Sequence, residues 1–236
     1  VVDEQHPFFD RLYLWHDPEP HSGSWNMAVD QAWLELTDAP LLRIYSWDRA
    51  TITIGYAQNL AKLRDQLPEW PVIRRWTGGG VVYHNGDLTY SLIVPAAHGW
   101  AETRPVDSYR MIHGSLAAAL VQSGIPGARL AEQEDIVEAP FCFVAPALHD
   151  VISGPSKLAG AGQRRSKIGL LHQGSIQQVK VGATFWSDWA SALAQEIAIV
   201  PKLPDIVHDR AVELDEKRYQ LPEWLDSRDD ALPRRR

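Results

Sequence analysis

Cysteine is almost absent from the sequence, since Cys142 is the only one among 236 residues. A single thiol excludes an intramolecular disulfide and a cysteine-rich zinc site, and it suits a reducing compartment such as the cytoplasm, where we expect the protein. The nine histidines show no H-E-x-x-H or comparable metal-ligand spacing. We therefore predict no metal site.

Long hydrophobic runs are also absent, because no apolar stretch approaches the roughly 20 residues that span a bilayer. No signal-peptide pattern opens the chain, so we expect a soluble intracellular protein with no membrane partner. The net charge of −7 argues against nucleic acid as the main partner, since nucleic-acid binding relies on a broad basic surface.

Three common site motifs are missing as well. The sequence contains no G-x-G-x-x-G dinucleotide motif, no phosphate-binding loop with Gly-Lys-Ser or Gly-Lys-Thr, and no G-x-S-x-G elbow. What is present is a chain of one-domain length with 45% hydrophobic residues. We expect a single domain over residues 1–236, with its core at about 10–200 and a frayed tail at 225–236.

Apolar periodicity in the first half predicts one helix followed by several strands. SWNMAVDQAWLEL has apolar residues at helical spacing, with Ser24 as the expected N-cap. LLRIYSWDRATITIGYAQN predicts two strands joined by a turn. In PVIRRWTGGGVVYHNGDLTYSLIVP a glycine loop and an Asn-Gly turn separate three strand patterns. This order is typical of a hairpin-rich sheet and not of parallel β-α-β units.

The second half predicts two helices and two strands. VDSYRMIHGSLAAALVQSG favours a helix that ends at Gly124, with His113 on its surface, and His149 falls in a loop. KLAGAGQRRSKIGLLHQGSIQQV favours a short strand, a glycine bend, a basic turn and a second strand. ATFWSDWASALAQEI favours a later helix.

Two glycine-rich segments are candidates for the walls of a ligand slot. Gly78–Gly80 leave the main chain open to a ligand, although a tight turn alone would also require glycine. Arg75 and His84 flank this loop and carry polar groups that a slot needs. Gly160–Gly162 form the second segment, between Lys157 and Gln163.

Cys142 has two interpretations, because a lone cysteine is often a small apolar filler and not a nucleophile. The ammonium of Lys157 would favour the reactive thiolate if the two groups lay close together. Separate basic islands precede the first glycine loop and follow the second, on an otherwise acidic chain. They suit a small anion or an acidic partner, although solvated loop charge is the simpler explanation.

Several of these segments resemble the biotin/lipoate protein ligase and lipoyl/octanoyltransferase superfamily. RRWTGGGVVYHNGDLTYSLIV and KLAGAGQRRSKIGLLHQGSI are similar to its paired signatures, and NMAVDQAWL, LLRIYSWDRATITIGYAQN and YRMIHGSL stand in the expected order. The resemblance covers most of residues 24–178. It implies an α/β (α+β) fold, that of the biotin/lipoyl protein ligase catalytic domain, with a mixed, largely antiparallel sheet flanked by helices.

Within the superfamily the sequence most resembles the cysteine-dependent octanoyltransferases of Gram-positive type, in which a CF..P segment precedes a K.AG.AQ.R segment. CFVAP and KLAGAGQRR stand in that order here. The resemblance implies that Cys142 takes an octanoyl or lipoyl group from acyl carrier protein as a thioester, and that Lys157 favours the thiolate. The group then passes to a lysine of a lipoyl domain or of a glycine cleavage H protein, without a cofactor.

The predicted site follows from the residues and the resemblance together. Its catalytic residues are Cys142 and Lys157. The residues predicted to bind substrate are Arg75, Gly78, Gly79, Gly80, His84, Gly160, Ala161, Gly162, Gln163 and His172. Backbone N–H groups near Ala161 or Gly162 are candidates for holding an oxyanion. The residues predicted to dock the carrier protein are Arg164, Arg165 and Lys167.

Three different functions stay open beside this one. The first is a lipoate ligase that uses ATP and magnesium. Two residues allow it: Gly80 stands where the similar octanoyltransferases have arginine, and Gly162 stands where the family often has alanine. Against a ligase, the stretch after HQGSI is short for an accessory domain, and such ligases do not generally have a cysteine at this place. The second is an octanoyl or lipoyl amidotransferase, and the third is a non-catalytic carrier-protein binding module.

Overall fold

A computed structural model describes residues 7–136 and 145–233 of the chain. The strands in this part are β1 Phe9–His21, β2 Leu41–Trp47, β3 Thr51–Ile54, β4 Val72–Arg74, β5 Val82–His84, β6 Leu88–Pro95, β7 Arg129–Leu130, β8 Val151–Ser153, β9 Ser156–Ser166, β10 Gly169–Ile176 and β11 Ala194–Ile199. The α-helices are α1 Gly23–Leu36, α2 Pro105–Gln122, α3 Phe185–Leu193, α4 Asp205–Leu214 and α5 Pro222–Ser227.

Eight of these strands form one mixed sheet in the order β11-β1-β2-β6-β10-β9-β8-β7. Strand β1 is parallel to both of its neighbours, and the other pairs in this sheet are antiparallel. A second, smaller sheet has the order β4-β3-β5. The prediction of a mixed, largely antiparallel sheet flanked by helices is confirmed.

Each face of the large sheet has its own hydrophobic core, because side chains alternate along a strand. On one face Leu92 and Val94 of β6 belong to the core that contains Leu116 of α2 and Trp189 of α3. On the other face Ile93 belongs to the core that contains residues of α1 and α4. The sheet therefore lies between α2 and α3 on one side and α1 and α4 on the other.

The strands on either side of the Asn-Gly turn do not form the expected hairpin. Strand β5 pairs with β3 in the small sheet, whereas β6 pairs with β2 and β10 in the large one. The carboxylate of Asp87, between them, bonds to His84 Nδ1 at 2.8 Å and accepts from Thr89 Oγ1 at 3.1 Å. These bonds stabilise a corner between two sheets, and β6 becomes a buried central strand.

The predicted glycine bend after Lys157 is wrong, because residues 156–166 form the single strand β9, and of the predicted basic turn only Lys167 lies in the turn, with Ile168, while Arg164 and Arg165 belong to the strand. Cross-strand pairing with β10 continues without a break from Ala159 to Ser166 and keeps the glycines extended. Helix α1 begins two residues earlier than predicted, with Ser22 as its N-cap. Strand β1 was not predicted; it contains two prolines, and its pairing with β2 shifts register between His16 and Pro20.

Helices α4 and α5, which lie near the C-terminal end of the described chain, were also not predicted. The segment that we expected to fray includes Leu225, whose carbonyl accepts from Arg74, and Asp230, whose carboxylate accepts from Arg218. Across the described part of the chain, no helix is long and apolar enough to cross a membrane.

Candidate active site

The glycine loop and strand β9 lie directly against each other. The amide of Gly78 donates to the carbonyl of Gln163 at 3.2 Å. A side chain at Gly162 would collide with the carbonyl of Gly78, so this close approach needs glycine. The two glycine segments therefore form neighbouring walls.

A pocket with about 510 Å³ of empty space, part of it open to solvent, lies between these walls and the sheet. Met27, Trp47 and Val82 give it apolar surface. The predicted site residues that line it are Arg75, Gly79, Gly80, His84, Lys157, Gly160, Ala161 and Gly162. A concave site that combines apolar surface with polar side chains in this way is typical of sites for small organic ligands.

Lys157 is the charged side chain on the β9 side of this pocket. Its Nζ lies 2.7 Å from Asp150 Oδ2, and only 11% of the Lys157 side chain is exposed. A Cβ at Gly160 would lie 2.6 Å from Lys157 Cε, so the bare backbone of Gly160 makes room for the lysine. Nothing in the sequence singled out Asp150, because neither its spacing nor its neighbours form a known motif.

Arg75 supports the glycine loop from inside. Its guanidinium donates to Thr53 Oγ1 at 2.7 Å and to the carbonyls of Gly78 and Gly80 at 3.0 and 2.9 Å. Burial lowers the pKa of Arg75 to about 10, which leaves it charged at neutral pH. These hydrogen bonds therefore hold the glycine loop in its observed conformation.

His84 lies at the other end of the pocket, stacked on Trp47 with ring centroids 3.9 Å apart. Nε2 is 2.9 Å from Thr53 Oγ1 and Nδ1 is 2.8 Å from Asp87 Oδ2. The Asp87 carboxylate can only accept, so the proton of a neutral His84 is on Nδ1 and the Thr53 hydroxyl donates to Nε2. Burial lowers the pKa of His84. The imidazole is therefore neutral at pH 7.

Gln163 and His172 do not line this pocket. They face each other across β9 and β10, with Gln163 Nε2 at 3.0 Å from His172 Nδ1. His172 Nε2 lies 3.2 Å from Tyr90 Oη, and Ser108 of α2 contacts Gln163. Because side chains alternate along β10, His172 points to the α2 face while its neighbour Gln173 lines the pocket.

Two residues of helix α2 belong to the surroundings of Lys157 and were not predicted to do so. Tyr109 Oη donates to Asp150 Oδ1 at 2.6 Å. His113 is completely buried and its Nδ1 lies 2.8 Å from the carbonyl of His149, so its assignment to the helix surface is wrong. Ser108, Tyr109 and His113 are polar residues at the helical spacing of the buried face, which is the signal that would have revealed them.

The three cations predicted to dock a carrier protein have different surroundings. Arg164 lies over the rings of Tyr56 and Trp76, at 5.0 and 4.7 Å from their centroids. Arg165 donates to the carbonyl of Ala101 and to Ser108. Of the three, Lys167 is the one whose side chain is exposed, and the two arginines are partly buried.

Cys142 lies outside the described residues. Ala147, five positions after it, donates its amide to Asp150 Oδ2 at 2.7 Å. The amide of Ala161, a candidate oxyanion donor, is already bonded to Tyr109 Oη at 3.0 Å. Among residues 7–136 and 145–233, no group of three or more His, Cys, Asp and Glu side chains is placed to hold a metal ion.

The sequence is similar to a group of bacterial enzymes. The octanoyltransferase LipM of Staphylococcus epidermidis is 35% identical over 171 residues, which are 65% of this chain and 61% of that protein. The octanoyltransferase LipM of Bacillus subtilis is 31% identical over 170 residues, or 66% of this chain and 61% of that protein. The matched region is thus less than two thirds of the length of these relatives.

Solved structures share the fold. A bi-partite lipoate protein ligase of Thermoplasma acidophilum, described with its E2 lipoyl domain, matches with a TM-score of 0.63 and 22% identity, covering 98% of this chain and 99% of that chain. A lipoate-protein ligase A bound with ATP matches with a TM-score of 0.67 and 22% identity, covering 93% and 99%. At these identities the likeness shows the fold alone. Residues 22–181 match the family of the lipoyl protein ligase A/B catalytic domain, and the chain belongs to that family.

Proposed function

We propose that the protein is an acyltransferase. It moves an octanoyl group from acyl carrier protein, through a thioester on Cys142, to a lysine amine of a lipoyl carrier protein. The observation that carries the proposal is the position of Lys157, which is ion-paired and lines a partly apolar slot bounded by glycine backbone. The similarity to octanoyltransferases supports the choice of acyl group.

The walls of the slot suit an unbranched acyl chain. Met27, Trp47 and Val82 offer apolar surface, and each methylene removed from water contributes about 0.8 kcal/mol. Gly79 and Gly162 carry no side chain that would keep the chain away from the backbone. The carbonyl end of the acyl group would then lie towards Lys157.

Two acyl transfers account for the reaction. The thiolate of Cys142 attacks the donor thioester, a new C–S bond forms, and the pantetheine thiolate leaves. The acceptor lysine amine then attacks the enzyme thioester, a C–N bond forms, the C–S bond to Cys142 breaks, and the amine loses a proton to water or to the leaving thiolate. Because one thioester replaces another in the first step, no ATP is needed. The Lys157 ammonium favours the thiolate form of the nucleophile.

The acceptor is a lipoyl domain or a glycine cleavage H protein. The archaeal ligase that shares the fold is described with its E2 lipoyl domain, which supports an acceptor of this kind. The donor carries the octanoyl group as a thioester, because transfer without ATP needs an activated acyl group, and octanoyl-acyl carrier protein is a donor of this kind.

An ATP-dependent lipoate ligase is the second candidate. Gly80 favours it, and a ligase that binds ATP has the same fold. In that reaction the acyl group would reach the acceptor from an acyl-adenylate and Cys142 would not be acylated.

A mass measurement on the acceptor separates the candidates. The protein is incubated with an apo lipoyl domain and either octanoyl-acyl carrier protein, lipoate with ATP and magnesium, or an octanoylated H protein. Modification from the carrier donor alone supports the transferase. Strict dependence on ATP would identify a ligase, and transfer only from the octanoylated H protein would identify an amidotransferase. No modification in any mixture would favour a binding module.

A further inference from the structure

Asp150 has a carboxylate that binds three donors from three parts of the chain. We propose that Asp150 is a positioning residue, which holds Lys157 and the backbone that follows Cys142 in a fixed relation to each other. The proposal rests on the acyl transfer proposed above, since it assigns the residue that aligns the two groups of that reaction.

The geometry uses both carboxylate oxygens. Oδ2 accepts from Lys157 Nζ and from the amide of Ala147, each at 2.7 Å. Oδ1 accepts from Tyr109 Oη at 2.6 Å. Asp150 is 1% exposed, so its charge is removed from water and compensated by these donors. Bonds to both oxygens from separate elements hold the carboxylate in one orientation.

Tyr109 fixes this carboxylate from helix α2. Its hydroxyl donates to Asp150 and accepts from the amide of Ala161 at 3.0 Å, which ties the carboxylate to strand β9 as well. Burial and the neighbouring Asp150 charge raise the pKa of Tyr109 well above its ordinary value. The phenol therefore keeps its proton and remains a donor throughout the physiological range.

One oxygen of Asp150 joins the amine to the segment that follows the thiol. Lys157 comes from β9, whereas Ala147 lies five positions after Cys142. Because both donate to Oδ2, a movement of the carboxylate displaces the lysine and the loop backbone relative to each other. An error of about 1 Å in such an alignment lowers a rate by up to about 100-fold.

Three variants separate the parts of this arrangement. Asp150→Ala removes all three bonds, and Asp150→Asn keeps one acceptor oxygen for Lys157 and Ala147 without the charge. Tyr109→Phe keeps the ring and removes the bond that fixes the carboxylate. Asp135→Asn is the matched control, because Asp135 pairs with Arg129 at 2.7 Å outside the pocket.

Two rates are measured for each variant: kcat for octanoyl transfer and the rate of alkylation of Cys142 by iodoacetamide. Alkylation reports this site alone, since the chain has a single cysteine. We expect Asp150→Ala to lower both rates by about 10- to 100-fold without a change in the KM for the carrier donor. Both rates should fall less in Asp150→Asn and Tyr109→Phe, and both rates of Asp135→Asn should equal those of the wild type.

Two results would overturn the proposal. If Asp150 acted on the thiol only through its negative charge, removing it would leave a less compensated ammonium, and alkylation would become faster in both Asp150 variants. If its role were only structural, the melting temperature would fall while both rates stayed at the wild-type level. Should Asp150→Ala fail to fold, the Asn and Phe variants decide the question. A wild-type protein that transfers no acyl group would refute the proposed function, while the alkylation rates would still test Asp150.

Discussion

Two glycines of β9 make room for different neighbours: Gly160 for Lys157 and Gly162 for the glycine loop. At Gly160 an added Cβ would meet the flexible end of a lysine, whereas at Gly162 it would meet a backbone carbonyl of the glycine loop. The lysine end is flexible, but moving it breaks its ion pair with buried Asp150, whereas moving the loop breaks backbone contacts. Substitutions at the two positions therefore separate damage to the amine from damage to the glycine loop.

Gly160→Ala should lower both activity and stability. The new methyl group would lie 2.6 Å from Lys157 Cε and 2.8 Å from Nζ, so the lysine must leave its position beside the buried Asp150 carboxylate. We expect kcat to fall by about tenfold or more and the free energy of unfolding to fall by about 1–3 kcal/mol. Steady-state kinetics and urea denaturation measure the two quantities. A variant with the wild-type kcat would contradict this assignment.

Gly162→Ala should also destabilise the protein by about 1–3 kcal/mol, because its methyl group forces Gly78 and the loop away from β9. Gly182→Ala is the control, since nothing lies within 4 Å of its added Cβ. Urea denaturation of both variants measures the difference. Equal stabilities would show that the loop yields without cost.

At the scale of single residues, the sequence was informative where a residue type is unusual. Three consecutive glycines and a lysine before a second glycine segment pointed to a slot, and the structure brings those segments together. Asp150 and Tyr109 carried no such signal, because an aspartate at the start of a strand and a tyrosine in a helix are ordinary. Their contact joins positions 41 residues apart, which no local pattern encodes.

At the scale of elements, hydrogen bonds from Arg74 hold helix α5 against the small sheet. The Arg74 guanidinium donates to the carbonyls of Trp224 and Leu225 and to those of the 55–58 loop. In return the Trp224 indole donates to the Arg74 carbonyl at 3.0 Å. The C-terminal helix thereby supports the strand that leads into the glycine loop.

Trp224→Ala should lower the free energy of unfolding by about 3–5 kcal/mol, because it empties a site where the indole is 2% exposed. Chemical denaturation measures the change. Ile206→Ala on α4 is the control; this side chain is 67% exposed and should contribute little. A loss at Trp224 no larger than that at Ile206 would show that α5 does not stabilise the domain.

The buried histidines between α2 and the sheet predict a pH-dependent stability. Burial lowers the pKa of His113 to about 4, whereas an unfolded chain titrates near 6.5. As the pH falls between these values, only the unfolded state gains the proton, so stability decreases by up to about 3 kcal/mol. Asp150 and Lys157 act on His113 in opposite directions.

Urea denaturation between pH 7.5 and 4.5 tests this, with His113→Asn as the variant because its amide can replace Nδ1–H. The pKa of His172 is also lowered by burial, so the variant keeps part of the pH dependence. The expected result is a shallower decline in the variant than in the wild type. Parallel curves would mean that His113 titrates with the same pKa in the folded and the unfolded protein, and would contradict the prediction.

Helices and strands were predictable where a local sequence pattern determines them. They were less predictable where pairing with strands distant in the sequence determines them. The helical period of α1 and α2 placed both helices within two residues of their observed starts. Strand β9 and the separation of β5 from β6 follow from partners elsewhere in the chain, so local glycine and turn signals misled. The prolines of β1 conceal a strand that is held by two parallel neighbours.

For the whole molecule, the two cores of the large sheet place different chemistry on its two faces. Neutral His113 and His172 lie on the α2 face, and the pocket with Met27 and Gln173 opens on the α1 face. Strand β9 contributes to both, because Lys157 reaches the pocket while Gln163 contacts α2. The pocket therefore lies on the α1 face, while the Asp150 carboxylate that pairs with Lys157 is held by Tyr109 from the α2 face.

The most direct test of the proposed function is whether Cys142 carries the acyl group. The protein is mixed with octanoyl-acyl carrier protein without acceptor, and its intact mass is compared with that of Cys142→Ala and Cys142→Ser. We predict one octanoyl increment on the wild type, which disappears when an apo lipoyl domain is added, and no such thioester on the Ala variant. Transfer to the lipoyl domain by Cys142→Ala at the wild-type rate would contradict the covalent mechanism.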